Sequence, residues 1–469
     1  MLAEEYILIV PFATQIRIKL LRAGAVFWLL LIMTDANAQT KLNIEKVDQY
    51  LENAAAAFQF NGVALIAQSG TIELSKGYGW KNVKSKTLHD SASLFQIGSI
   101  TKQFTAAIIL KLQEEGKLSV SDPISKYLSD YPNGNKITLY HLLTHTSGID
   151  DYTKHFKPFQ FIIKKTVDKQ KVINSFKNEP LASEPGTQFQ YSSSNYYLLG
   201  IIIEKITGKP YEQVVREMIF TPLQMTSSGF DFRNLSSPFK ATGYSVFYKG
   251  RQTEANDMDS TVLYSAGGIY STTGDLYKWI KAVAHQQILT PHSWTLALTP
   301  NKGNYGFGWA IDSLYGRKYI THTGVTANFS SLLLYFPDED ISLILLSNTA
   351  GNLWNTGIDI SQIIFDQPYP WGEQPEVKLD STLMKQYIGT YVYDKGHTLS
   401  VTLKDGKLYL VDGTRNTGIS NAPFVALSGS EFYNKSLYFK IEFVKDSSGN
   451  VTVLKGIRDG WYLSWTKVN

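Results

Sequence analysis

Gly98-Ser99-Ile100-Thr101-Lys102-Gln103-Phe104-Thr105-Ala106-Ala107-Ile108-Ile109-Leu110 is the stretch from which the fold of this chain is read. After Ser99 it holds neither Gly nor Pro, and its apolar residues continue through Leu112 to about Glu115 before Gly116 closes the run. That pattern predicts a buried helix. On it, Ser99 and Lys102 sit one turn apart on the same face. A serine alcohol is a poor nucleophile unless a base takes its proton, and a lysine kept neutral by burial or by nearby positive charge can do so. A place in the first turn also aims free backbone N–H groups and the positive end of the helix dipole at any oxyanion formed there. By itself the spacing is weak, because Ser-x-x-Lys arises by chance about once or twice in a chain of this size. It recurs at Ser237-Pro238-Phe239-Lys240, in a loop-like context without chemistry.

At 469 residues the chain exceeds one ordinary domain, and two are expected once a targeting segment is set aside. Hydrophobic residues at 43% and charged ones at 18% describe a globular protein with ample core. A formal charge of +4 without a basic run argues against nucleic acid as a partner. The N-terminus carries Arg17, Lys19 and Arg22, an apolar run from Ala23 to Met33, and Ala36-Asn37-Ala38 before Gln39. This is the layout of a secretory signal over residues 1–38, with an uncleaved anchor as the alternative. The run is too short to span a bilayer comfortably, so a periplasmic or secreted protein without stable membrane insertion is expected. There is no cysteine, which excludes disulfides, thiol catalysis and thiolate metal sites.

Asn43 to Phe58 has helical spacing in Ile44, Val47, Leu51 and Ala54. Gly62–Gln68, Ser69-Gly70 and Thr71–Tyr78 read as a β-hairpin, and the helix bearing Ser99 follows. His141 and His145, four apart, could share a helix face, but with no Glu after His141 and no third ligand they read as structural. Tyr191-Ser192-Ser193-Ser194-Asn195 leads into a helix that ends at Gly208, and another helix runs from Thr273 to about His285. Lys318–Gly324 reads as a strand running to a tight glycine turn, and Phe329–Tyr335 with Ile341–Ser347 as a second hairpin. Strands at both ends with helices between make an α+β fold: one antiparallel sheet flanked by helices, with a mostly helical insert, over residues 39–366. Residues 367–375 have linker composition. From 376 to 469 the alternation of Leu399, Val401 and Leu403, the Asp405-Gly406 turn, and Leu437, Phe439, Ile441 and Phe443 predict a small antiparallel β domain, a sandwich or a barrel. It offers no chemistry of its own and reads as a lid, spacer or stabilising appendage.

Three features stand in order: Ser99-x-x-Lys102, Tyr191-Ser192-Ser193, and His322-Thr323-Gly324 on a late strand. Together with His141–Ile149, Pro185-Gly186-Thr187, Ala266–Ser271 and Tyr305-Gly306-Phe307-Gly308-Trp309, they resemble the serine β-lactamase and penicillin-binding-protein superfamily, most closely its class C-like branch. The resemblance implies that Ser99 attacks a carbonyl and becomes acylated, while Lys102 and Tyr191 share the proton traffic, Tyr191 with a lowered pKa. It implies substrate binding by Ser193, His322, Thr323 and Gly324, and an oxyanion hole from the backbone N–H groups of Ser99 and Val325. No metal or organic cofactor enters; the partner is a small-molecule or peptide substrate, cell-wall peptides being one source.

Two departures stand out. Ser193 takes the third place of a motif that usually reads Tyr-x-Asn, and a hydroxyl reaches less far than a carboxamide. His322 stands where class C β-lactamases carry lysine and is largely uncharged at neutral pH. Both point away from an efficient β-lactamase and toward a peptidase or esterase. A second register, Ser193-Ser194-Asn195, would match the Ser-x-Asn form of other branches. The absence of Gly-x-Ser-x-Gly removes the α/β-hydrolase elbow. The expectation is an exported serine hydrolase acting through an acyl-enzyme on amide or ester substrates: a D-amino-acid peptidase, an esterase or a weak β-lactamase. A catalytically silent binding or sensing module is the alternative.

Overall fold

The computed structural model describes residues 42–468 apart from 57, 156–166, 249, 352, 368–376, 395–396, 413–422, 435–438 and 459–460. The expected signal segment, and all of the linker except Gln367, lie outside the described residues.

The helices that matter for the site are α1 (Ile44–Ala56), α2 (Thr101–Glu114), α3 (Leu139–Leu143), α4 (Ser193–Thr207), α5 (Ser260–Gly267), α6 (Thr273–Ala284) and α7 (Leu353–Ile364). The main sheet is formed by β1 (Gly62–Gln68), β2 (Thr71–Tyr78), β3 (Ala310–Leu314), β4 (Arg317–Val325), β5 (Ser330–Phe336) and β6 (Ile341–Ser347). Its order is β2-β1-β6-β5-β4-β3, antiparallel throughout, so the first hairpin pairs with the last strand and the helical stretch between them is an insert. This is the α+β arrangement expected from the sequence.

Strands β1, β5 and β6 are buried along their whole length, which requires cover on both faces. Alternation divides the work. Leu333, Tyr335, Ile344 and Leu346 join the core built around α2, whereas a Cβ on Gly357 of α7 would meet Leu332 and approach Leu343 on the opposite face. Helix α2 is the centre of that core: Thr101 through Leu110 and Leu112 are all buried, so it is enclosed on every side rather than along a stripe. The Trp279 indole of α6 donates to Gln103 Oε1 at 2.9 Å and its ring stacks on Phe104 at 4.5 Å.

The C-terminal region closes into an eight-stranded antiparallel barrel, which decides between the two expected forms. Its strands run from β7 (Gly389–Asp394) through β8 (His397–Lys404) and β9 (Lys407–Asp412) to β14 (Trp461–Lys467). Pairing of Tyr391 with Lys467 and of Val392 with Thr466 seals the seam. Asp405 and Gly406 both take positive φ, as a two-residue hairpin turn between β8 and β9 demands. The inward residues Leu399, Val401, Leu408, Leu410, Ile441 and Phe443 are buried.

Two local expectations change. Gly324 is not a turn: β4 runs through it to Val325, and a Cβ there would lie 1.9 Å from the Ile97 carbonyl oxygen, so the residue is small because two backbones touch. His141 and His145 do not share a helix face, because α3 stops at Leu143 and His145 has φ +54°.

Candidate active site

Ser99 lies in a single 3-10 turn, Gly98–Ile100, that feeds directly into α2, rather than in the first α-helical turn. Gly98 has φ +51°, and a Cβ on it would come within 2.9 Å of Val325 N. The turn and the end of β4 are therefore in backbone contact, locked by the Ser331 hydroxyl, which donates to the Ile97 carbonyl at 2.7 Å. This contact sets Val325, on the sheet, beside the residue that precedes Ser99.

Lys102 is completely buried, and its Nζ lies 3.0 Å from Ser99 Oγ. Nζ also donates to the Ala266 carbonyl of α5 at 2.8 Å. Burial pulls the Lys102 pKa down to about 7, against a smaller upward push from the charge of Asp151. The amine is thus a base at neutral pH, beside a hydroxyl that remains partly open to solvent.

Tyr191 arrives from the segment that precedes α4 and lines the same cavity as Ser99. The Lys102 ammonium stands 5.0 Å from its ring centre. The ring is 36% exposed because cavities open on two sides of it. The expected lowering of its pKa does not occur: burial raises it, the neighbouring Ser99 hydroxyl opposes that, and the charge of Asp151 adds to the rise. A phenolate is costly where low-dielectric packing outweighs a half-neutral lysine.

Ser193 opens α4 and lines the same cavity as Ser99 and Tyr191, a space of about 460 Å³. Asn195 is fully buried and its carboxamide oxygen accepts from Ser147 Oγ at 2.7 Å, so the Tyr191-Ser192-Ser193 register is the one that faces the cleft. Val325 lines this cavity too, whereas His322 and Thr323 line a second one of about 410 Å³, on the other side of Tyr191, with Phe189, Tyr305 and Trp354.

His322 is buried. Its Nδ1 lies 2.6 Å from the Thr323 carbonyl, which can only accept, so Nδ1 carries the proton and Nε2 accepts from the Tyr305 hydroxyl at 2.9 Å. Burial, with the charge of Lys102, drops its pKa to about 3, so it is neutral at every working pH and is not a cation for a substrate carboxylate.

Sequence reasoning missed three residues here. His145 lies under Tyr191, ring centres 4.2 Å apart, with Tyr305 at 4.8 Å and Tyr196 at 5.1 Å. Its Nδ1 accepts from Ser192 N at 3.2 Å, which ties the loop carrying Tyr191 to the core, and burial holds it neutral. Tyr305 supplies the hydroxyl that orients His322. Asp151 lines the Ser99 cavity. A histidine followed by Thr-Ser-Gly and a pair of aspartates was the available signal, since polar runs between apolar helices mark cleft loops.

Among the described residues no group of three or more His, Asp and Glu side chains is placed to hold a metal ion, and no helix is long and apolar enough to cross a membrane.

The family model for beta-lactamases matches residues 47–364. Penicillin-binding protein 4* of Bacillus subtilis is 28% identical over 420 residues, 84% of this chain and 92% of its own length. Among solved structures, the octameric penicillin-binding protein homologue from Pyrococcus abyssi superposes over 90% of this chain and all of its own, with TM-score 0.66 and 24% identity. A D-stereospecific amidohydrolase from Streptomyces sp. covers 68% of this chain and 97% of its own, with TM-score 0.60 and 25% identity.

Proposed function

Because this chain belongs to the beta-lactamase family, we propose that it is a serine hydrolase that works through an acyl-enzyme on Ser99, of the class C-like kind. The observation that carries this reading is the 3.0 Å contact between Ser99 Oγ and a buried lysine amine whose pKa is brought to about 7. On this reading the nucleophile and its base are adjacent before substrate arrives.

The reaction follows from the positions. Ser99 Oγ bonds to the substrate carbonyl carbon as its proton passes to Lys102 Nζ. The oxyanion is met by the backbone N–H groups of Ser99 and Val325, on the two segments that meet at Gly98. Tyr191, protonated at rest, gives its proton to the departing nitrogen or oxygen and recovers one from Lys102. The C–N or C–O bond breaks and the acyl group stays on Ser99. Water then adds to the ester carbonyl carbon, its proton returns through the same pair to Ser99 Oγ, and the carboxylic acid leaves.

Substrates are amides or esters, and D-amino-acid peptides or amides are the preferred group, in keeping with the D-stereospecific amidohydrolase among the structural neighbours. Neutral His322 and the short Ser193 argue for weak β-lactamase turnover. Export is supported by the signal-like layout of residues 1–38, and mature protein beginning before Gln39 would overturn it. The leading test is mass spectrometry after treatment with a fluorophosphonate or a penicillin. A stable adduct is expected on Ser99 and none on the Ser99→Ala variant. Equal labelling of both would refute the assignment to Ser99, whereas no labelling and no turnover in a folded wild type that still binds ligand would favour the silent binding module.

A further inference from the structure

We propose, resting on the hydrolase reading, that Asp151 is a substrate-binding residue that selects acyl groups carrying a protonated amine. Asp151 lines the cavity that also holds Ser99, Tyr191 and Ser193. Among the described residues lining either cavity it is the only Asp, Glu, Lys or Arg. It is 8% exposed, and Oδ1 accepts from Thr153 N at 2.9 Å, which fixes the carboxylate at the head of a short 3-10 turn.

The neighbouring carboxylate supplies the contrast. Asp150 is satisfied by Lys154 at 2.7 Å and His155 at 2.6 Å. Asp151 makes no ion pair with any described cation. Lys102 feels its charge but is turned to Ser99 and to the Ala266 carbonyl. A nearly buried carboxylate with one backbone hydrogen bond has acceptor capacity left, and a bound ammonium would use it in a charge-assisted bond.

The rest of the cleft excludes the opposite charge. Among the described residues lining the two cavities a substrate carboxylate would find no Lys or Arg: the imidazole of His322 is occupied by Tyr305 and by the Thr323 carbonyl, and Asp151 repels an anion. Specificity of this kind comes as much from the unfavourable partner as from the favourable one. Since the acyl carbon sits on Ser99, an α-amine two bonds away stays inside the same cavity, and about 460 Å³ suits an amino-acid-sized group.

The test uses the full chain and hydrolysis of p-nitrophenyl butyrate, a neutral ester, with competitors: phenylalaninamide, N-acetylphenylalaninamide and N-succinylphenylalaninamide, in both hands. The free amine of at least one hand is expected to inhibit about tenfold or more below the concentration needed for its acetylated form, and the succinylated form least. In Asp151→Asn the ratio of the first two inhibition constants should fall toward one. That ratio does not depend on the variant's own turnover. Asp151→Lys should invert the order in favour of the succinyl compound. Equal inhibition by free and acetylated forms in the wild type, inhibition by none, or a ratio unchanged in Asp151→Asn would overturn the assignment while leaving ester hydrolysis and Ser99 labelling intact. Loss of labelling and ester hydrolysis together in the wild type would instead remove the hydrolase reading, and this one with it.

Discussion

The floor of the cleft and the centre of the barrel are built from the same aromatic side chains, packed to opposite ends. In the barrel, Phe443 stacks on Tyr387 at 4.2 Å and touches Phe432 and Tyr391, and the buried cluster around it holds apolar residues and tyrosines. At the cleft, Tyr191, Tyr196 and Tyr305 enclose His145, and Tyr191 and Tyr196 also flank Lys102. Rings packed on rings stabilise. Rings packed on an ionisable group strip its water and so decide its charge. One region converts aromatic area into stability, and the other gives up stability for a lysine that can accept a proton at neutral pH.

The largest effect that would break this contrast is at Lys102. Lys102→Met should cut turnover about a thousandfold or more, since the base is lost. It should also make the protein more stable near neutral pH. The sign follows from linkage: the folded pKa of about 7 lies below the ordinary 10.5, so between those values the unfolded chain binds more protons. Wild-type stability therefore climbs as pH rises from about 7 toward 10, and the penalty is full below 7. Thermal melts of the two proteins across that window should show the variant's advantage shrinking with pH. An advantage that stays flat would mean Lys102 is not the group under stress. In wild type, kcat/KM should rise through an apparent pKa near 7 as Lys102 gives up its proton.

The next effect separates the phenol from the amine. With its pKa raised, Tyr191 is a proton donor at rest, and its proton matters most when the leaving group is basic. Tyr191→Phe should slow hydrolysis of an alkyl amide by on the order of a hundredfold and of a p-nitrophenyl ester by far less, because p-nitrophenolate leaves unaided. Equal losses on both would return the base role to the tyrosine.

Much of this was legible in the sequence, for reasons that differ between the two regions. Helix α2 announced itself because it is buried all round, and Ser99 with Lys102 because a helix makes three residues a contact. The barrel strands followed from alternation at Leu399, Val401, Ile441 and Phe443, although closure did not, since it depends on Tyr391 meeting Lys467 across the whole domain. What sequence could not supply was the neighbourhood of each titratable group. The direction of the Tyr191 shift depends on how much ring surface surrounds the phenol. His145 was read as structural because its helix spacing suggested a metal or nothing, yet the chain leaves the helix two residues earlier and carries it beneath Tyr191. Asp151 lay in a doublet whose members have different partners, a distinction that only packing makes.

The smallest effect on chemistry should come from the barrel, and it sharpens the contrast most cleanly. Phe443→Ala removes a ring that meets three other aromatics at the barrel centre, and should cost about 3–5 kcal/mol there. The pKa values at the cleft are set by Tyr191, Tyr196, His145 and Asp151, all outside the barrel, so kcat/KM and its pH limb, measured well below the melting range, should move less than about twofold. Denaturant unfolding followed beside ester hydrolysis checks both halves. If stability falls as expected while the pH limb also shifts, the barrel takes part in setting the charge of Lys102, and the division between the two kinds of aromatic packing fails.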